Sequence, residues 1–163
     1  MSSDHFSIRA ATLSDAPLLL AMVHAAFEQY RHRLIPPSSA HAESLASITQ
    51  KLAAFQAFIC SVSNEPAGCV FYLRKSDHMY LDRLSVLQKF RRQGVGSSLI
   101  RAVEQLAIRE GYSAVRLGVR IALPATRAYY ERLGFTWLED CFHEGFQTPT
   151  YILMQKLLKK SSN

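Results

Sequence analysis

Between Tyr80 and Gly111 the chain reads YLDRLSVLQKFRRQGVGSSLIRAVEQLAIREG, and its hydrophobic period changes from two to about 3.6 across a basic turn with two glycines. A strand that passes so quickly into a long amphipathic helix has few places to sit: the helix must cover the sheet that holds the strand. The flanking segments extend this pattern. FSIRAAT (6–12) alternates and predicts a strand, and LSDAPLLLAMVHAAFEQYRHR predicts a helix capped by Ser14, with Pro17 in its first turn. After the break at LIPPSSA, HAESLASITQKLAAF predicts a second helix; QAFICSV and AGCVFYLR, joined through SNEP, predict a hairpin.

HMYLDRLSVL predicts the next strand, with Tyr80, Asp82, Leu84 and Val86 on one face and Met79, Leu81, Arg83 and Ser85 on the other. After the glycines, Val95, Leu99, Ile100, Val103, Leu106 and Ala107 recur at helical spacing as a buried stripe, and Gly111 ends the helix. YSAVRLGVR predicts a strand, LPATRAYYERLG a short helix closed by Gly134, and FTWLEDCF and TPTYILMQKL two further strands. The order βααβββαβαββ describes a mixed α/β fold with helices flanking a central sheet. The 163 residues fit one domain, 1–163, with a core over about residues 6 to 158 and a short flexible C-terminal tail.

Composition narrows the function classes. No run approaches the roughly 20 apolar residues of a membrane span, and MSSDHFSIR lacks the apolar segment of a secretory signal, so a cytoplasmic protein is expected. Cys60, Cys69 and Cys141 form no CxxC pair and read as core thiols; the six histidines are scattered, so no metal is expected. A net charge of +6 suits an anionic partner, but the cations are dispersed and no RNP-like or zinc-finger pattern is present, so nucleic acid is not expected. Lys89, Arg91 and Arg92 beside the glycines favour a small polyanion instead.

Helix first turns have backbone N–H groups without internal partners and the positive end of the macrodipole. Gly94 and Gly96 remove side chains there, and Arg91, Arg92 and Gln93 add donors, a setting suited to a pyrophosphate. Two familiar phosphate loops fit poorly. A P-loop needs Lys after its second glycine, and a dinucleotide fingerprint needs a third glycine where this chain has Leu99.

These residues resemble the signature of the GCN5-related N-acetyltransferases. That signature is Arg or Gln-x-x-Gly-x-Gly/Ala after a Leu-x-Val strand, and here it is Arg91, Gly94 and Gly96 after Leu84–Val86. YERLGF (130–135) is similar to a second element of that family, and the resemblance covers almost the whole chain. It implies a mostly antiparallel central sheet whose neighbouring strands splay apart. It implies acetyl-CoA as cosubstrate, with the pyrophosphate on Arg91, Arg92, Gln93, Gly94, Val95, Gly96 and Ser97 and the pantetheine arm along Leu84, Ser85 and Val86. Tyr130 matches the family's general acid, with neighbouring Tyr129 as the alternative donor. The same resemblance implies that Asp82 lies near the reacting centre as a base or as a site for a cationic acceptor, the alternative being a salt bridge with a neighbouring Arg.

Glu28, Tyr30 and Arg33 are acceptor-wall candidates by the same resemblance. One position departs from it: Leu123 stands where members often carry an Asn that contacts the cofactor, leaving Thr126 or Arg127 as replacements. The implied activity is acetyl transfer to a primary amine of a small molecule or protein by direct attack. The alternative is a catalytically inactive acyl-CoA-binding or regulatory domain of the same fold. A homodimer is compatible with either.

Overall fold

A computed structural model describes residues 5–159; the ends of the expected tail and of the opening segment lie outside the described residues. The elements follow the order β1 (Phe6–Ala10), α1 (Ala16–Phe27), α2 (Leu45–Ala54), β2 (Gln56–Val62), β3 (Glu65–Arg74), β4 (Met79–Val86), α3 (Val95–Arg109), β5 (Ala114–Arg120), α4 (Pro124–Arg132), β6 (Thr136–Cys141) and β7 (Tyr151–Leu157). They build one seven-stranded sheet, β1-β2-β3-β4-β5-β7-β6, in which only the β4–β5 pair is parallel. The mixed α/β, mostly antiparallel architecture is the expected one.

Period-two alternation lets the central strands be buried on both faces. In β2, Cys60 and Val62 pack with the α3 stripe, whereas Ala57 and Ile59 pack with Leu19, Met22 and Val23 of α1 and Ile48 of α2. β3 divides likewise, Val70 and Tyr72 one way, Cys69 and Phe71 the other. Cys60 and Cys69 are buried thiols and Cys141 is half-buried; burial pushes the Cys69 thiol up to about 12. Among the described residues no helix is long and apolar enough to cross a membrane.

Local signals moved three boundaries. Ser14 is not a cap: a 3-10 turn, Leu13–Asp15, precedes α1, and Ser14 Oγ only meets Thr12 Oγ1 at 2.8 Å. Asp15 organises this corner, since its carboxylate accepts both guanidinium forks of Arg9 at 2.8 Å and the Thr12 N–H at 2.8 Å. The first helix stops at Phe27 and continues only as a 3-10 turn, Glu28–Tyr30. The hairpin loop is the two residues Ser63 and Asn64, both at positive φ (47° and 69°), so Glu65 and Pro66 already belong to β3.

The Arg9 hydrogen bonds, then the Thr12 N–H, hold the Asp15 carboxyl well below the usual carboxylate range. A depressed carboxylate stabilises the fold above its unfolded value, near pKa ~3.9, and loses that contribution as pH falls toward the lower folded value. Asp15→Ala is therefore expected to cost about 1 kcal/mol at pH 7, as a lost cap and ion pair do. The gap between variant and parent in urea unfolding should narrow as the pH is taken below about 4. An equal gap at both pH values would contradict this account of Asp15.

The larger departure lies in β4. Arg83 takes a left-handed φ of 52°, and the β3 register jumps between Phe71↔Asp82 and Cys69↔Ser85, which is a β-bulge. The bulge breaks the expected alternation. Leu84 and Val86 pack on the α3 side with Met79 and Leu81, whereas Ser85 is buried against Cys69 on the other side. Asp82 and Leu84 therefore do not share a face, contrary to the sequence expectation.

Candidate functional site

The bulge also alters what β4 does at its other edge. Bulges add local twist, and β4 and β5 pair only at Met79↔Val115 and Tyr80↔Arg116 before diverging. From Asp82 to Val86 the β5-facing edge of β4 has no ladder partner among the described residues. A groove of about 1070 Å³ opens in this seam, at the upper end of the roughly 300–1,000 Å³ of ligand pockets and suited to a long guest.

One end of the groove is the turn into α3. The first helical hydrogen bond runs from Ser98 N–H to the Gly94 carbonyl at 3.0 Å, so the N–H groups of Val95, Gly96 and Ser97 lack helical acceptors. Gly94 has a φ of 91°, a left-handed conformation that strains any residue with a Cβ. Gly96 serves a different purpose: a Cβ there would stand 2.7 Å from the Tyr129 hydroxyl, which sits 3.3 Å from Ser97 Oγ. The second glycine makes room for a tyrosine.

Of the expected cofactor residues, Leu84, Val86, Arg91, Arg92, Gly94, Val95, Gly96 and Ser97 line the groove. The Ser85 side chain turns away and its Oγ donates to the Arg83 carbonyl at 3.0 Å. The Arg91 guanidinium is not held out for an anion: Nε donates to the Val86 carbonyl and Nη2 to the Ala26 carbonyl, each at 3.3 Å, tying β4 to α1. The Gln93 amide donates to the Lys89 carbonyl at 3.1 Å. Arg127 lies away from the groove lining and pairs with Glu131 at 3.7 Å, whereas Leu123 and Thr126 do line it.

Tyr129 and Tyr130 of α4 meet edge to face at 5.3 Å, and Tyr130 meets Phe135 at 5.8 Å. Both tyrosines line the groove, but only the Tyr129 hydroxyl has a hydrogen-bond partner among the described residues. Burial, and then Tyr129, push the Tyr130 phenol well above its ordinary value, so it stays protonated at any physiological pH.

Asp82 lines the groove with its carboxylate engaged: Lys51 Nζ of α2 lies 2.6 Å from Oδ2. The partner is thus a lysine, where an arginine was the sequence alternative. Lys51 also stands 3.7 Å from Glu43, which lies 3.4 Å from Arg83, so two anions and two cations close a network. Among the acceptor-wall candidates, Tyr30 lines the groove. Glu28 pairs with Arg31 at 2.9 Å and Arg33 donates to the Gln29 carbonyl at 3.2 Å, both outside it.

Sequence reasoning passed over Tyr80, Arg120 and His143, which line the same space. The Tyr80 hydroxyl lies across Gly118, where a Cβ would stand 3.2 Å from it, and burial followed by Asp82 pushes its phenol up to about 12. The signal was present in β5: Val115, Leu117 and Val119 face α3, which puts Arg116, Gly118 and Arg120 on the other face.

No curated protein matches the chain in a sequence search. Among solved structures, PaiA N-acetyltransferase from Thermoplasma acidophilum, in complex with coenzyme A, is similar with a TM-score of 0.79 at 16% identity, over 94% of this chain and 99% of that one. The ribosomal-protein-S18-alanine N-acetyltransferase of Escherichia coli is similar with a TM-score of 0.75 at 18% identity, over 97% of both chains. A GNAT family acetyltransferase from Elizabethkingia anophelis with acetyl-CoA bound is similar with a TM-score of 0.70 at 19% identity, over 96% of this chain and 100% of that one. At these identities the likeness speaks for the fold. The model of the acetyltransferase (GNAT) family matches residues 20–135, a span that contains the splayed strand, the two-glycine turn and the tyrosine pair. The chain belongs to the GNAT acetyltransferase family.

Proposed function

We propose that the protein is an N-acetyltransferase that moves the acetyl group of acetyl-CoA to a primary amine. One observation carries the reading: the unpaired edge of β4 and the first-turn N–H groups of α3 open on one groove, which also holds the Tyr130 hydroxyl, without a hydrogen-bond partner among the described residues. An extended pantetheine arm can continue the sheet along Leu84–Val86, and a pyrophosphate can sit at the helix start, where backbone donors and dipole favour it. Two of the similar structures are described as holding coenzyme A or acetyl-CoA, which supports this guest.

The chemistry asks little of side chains. A neutral amine attacks the thioester carbonyl, a C–N bond forms, and the C–S bond breaks with the electron pair leaving on sulfur. A backbone N–H near Leu84 serves the oxyanion, a contribution of about 3 kcal/mol by comparison with other such donors. Tyr130 donates a hydrogen bond to the sulfur. An ordinary phenol already titrates roughly 1.5 units above a thiol, and burial raises this one further. Full transfer of its proton at rest is thus uphill, and the useful effect is a hydrogen bond that strengthens as charge grows on sulfur. The amine proton leaves through water, since Lys51 occupies the Asp82 carboxylate.

Calorimetry with coenzyme A, followed by thiol-release assays with acetyl-CoA and an amine panel, tests the reading. Micromolar binding and acceptor-dependent thiol release are expected. No binding at millimolar coenzyme A would overturn it, and binding without release across the panel would leave an inactive acyl-CoA-binding domain as the better account.

A further inference from the structure

The acceptor side of the groove has a charge that the protein leaves unbalanced. Arg120 ends β5 on the sheet face opposite α3, half-buried and lining the groove. Its Nη2 donates to the Pro36 carbonyl at 2.6 Å, its buried Nε has no acceptor, and no carboxylate lies within salt-bridge distance of it among the described residues. Arg83 reaches the same short segment from β4, with Nη2 2.7 Å from Ser39 Oγ and a buried Nε that also lacks an acceptor. Two arginines from the two splayed strands therefore converge on residues 36–39, at the mouth between the α1–α2 connection and the sheet.

The neighbouring charges do not offset Arg120. Asp82 and Glu43 are already matched by Lys51 and Arg83, and Glu144, which also lines the groove, is exposed and forms no ion pair with Arg120. His143 lines the groove nearby, and burial, then Arg120, hold its pKa below the ordinary value, so it is neutral at pH 7. A half-buried guanidinium with no counter-ion costs free energy in the empty protein, and an anion that reaches it recovers that cost.

We infer that the acceptor amine carries a carboxylate, received by Arg120 with Arg83 at its side, so that the substrate class is amino acids or other amines with a nearby carboxylate. The inference deepens the acetyl-transfer reading and rests on it for the amine. A guanidinium offers paired N–H groups that match the two oxygens of one carboxylate, which singles this anion out from a bare halide or a neutral amide.

The test separates the two claims. Amino acids and short peptides, their amides, and their phosphonate analogues are titrated calorimetrically into the coenzyme A-loaded protein and into the ligand-free protein, and acetylation rates are measured for the same compounds. Carboxylates are expected to exceed their own amides at least tenfold in affinity and in kcat/KM. In Arg120→Gln that ratio should fall to within about twofold, and Arg120→Lys should restore part of it; circular dichroism and cooperative thermal unfolding report whether each variant is folded. Amides that match their carboxylates in the parent protein would overturn the inference, as would a ratio that survives in a folded Arg120→Gln. Phosphonates that exceed carboxylates would overturn the assignment of the anion. Failure of coenzyme A to bind would count only against the transferase reading, because the carboxylate-to-amide comparison still stands on the ligand-free protein.

Discussion

Gly96→Val should weaken coenzyme A binding by about a hundredfold or more while the protein still unfolds as one cooperative unit. A Cβ at position 96 would stand 2.7 Å from the Tyr129 hydroxyl and 3.6 Å from Val86 Cγ2, so the tyrosine must swing away from Ser97. The branched side chain then stands over the first-turn N–H groups that, on the proposed reading, receive the pyrophosphate. Losing two such hydrogen bonds to a charged group, at about 1.5–3 kcal/mol each, corresponds to a loss in affinity of roughly two orders of magnitude or more. Valine costs the helix well under 1 kcal/mol relative to alanine, and glycine is the poorer helix former, so helix content by circular dichroism should hold. Undiminished affinity would mean that the anion does not sit on this turn.

Tyr130→Phe should leave coenzyme A affinity within about threefold and lower kcat at least tenfold, a loss of about 1.4 kcal/mol or more from transition-state stabilisation. The split is expected because the hydroxyl has no hydrogen-bond partner among the described residues, while the ring supplies the contacts to Tyr129 and Phe135. Phenylalanine keeps the ring and removes the donor. Tyr129→Phe is the informative contrast: it removes the Ser97 contact and is expected to act on coenzyme A affinity more than on turnover. Unchanged kcat with the true acceptor in Tyr130→Phe would take the acid role from this residue.

Much of this was legible in the residues. The order of strands and helices followed from periodicity because buried strands and amphipathic helices impose different spacings on the same apolar residues. The two-glycine turn was legible because missing side chains announce its geometry, with Gly94 left-handed at the helix start. The β4 bulge was not. A left-handed arginine at position 83 has no sequence signature, and a one-residue slip was enough to part Asp82 from Leu84.

Side-chain destinations were the other gap. Arg91, Arg92 and Gln93 look alike as donors in a string of letters, yet Arg91 fastens β4 to α1 and Gln93 folds back on its own turn. Lys51 and Asp82 are 31 positions apart and meet only once α2 lies on the sheet. Arg120 needed no long-range knowledge to be noticed, only the step of asking which face of YSAVRLGVR was left polar.

The parting of β4 from β5 carries a further consequence. An open seam in a sheet is an adhesive edge, and most proteins blunt such edges with charge, proline or a covering segment. On the proposed reading a small molecule would fill the gap here, and the cosubstrate would act as an eighth strand that completes the fabric. The thermal endurance of the protein would then rise and fall with the acyl-carrier supply around it, and starvation for that carrier would leave the sticky border bare.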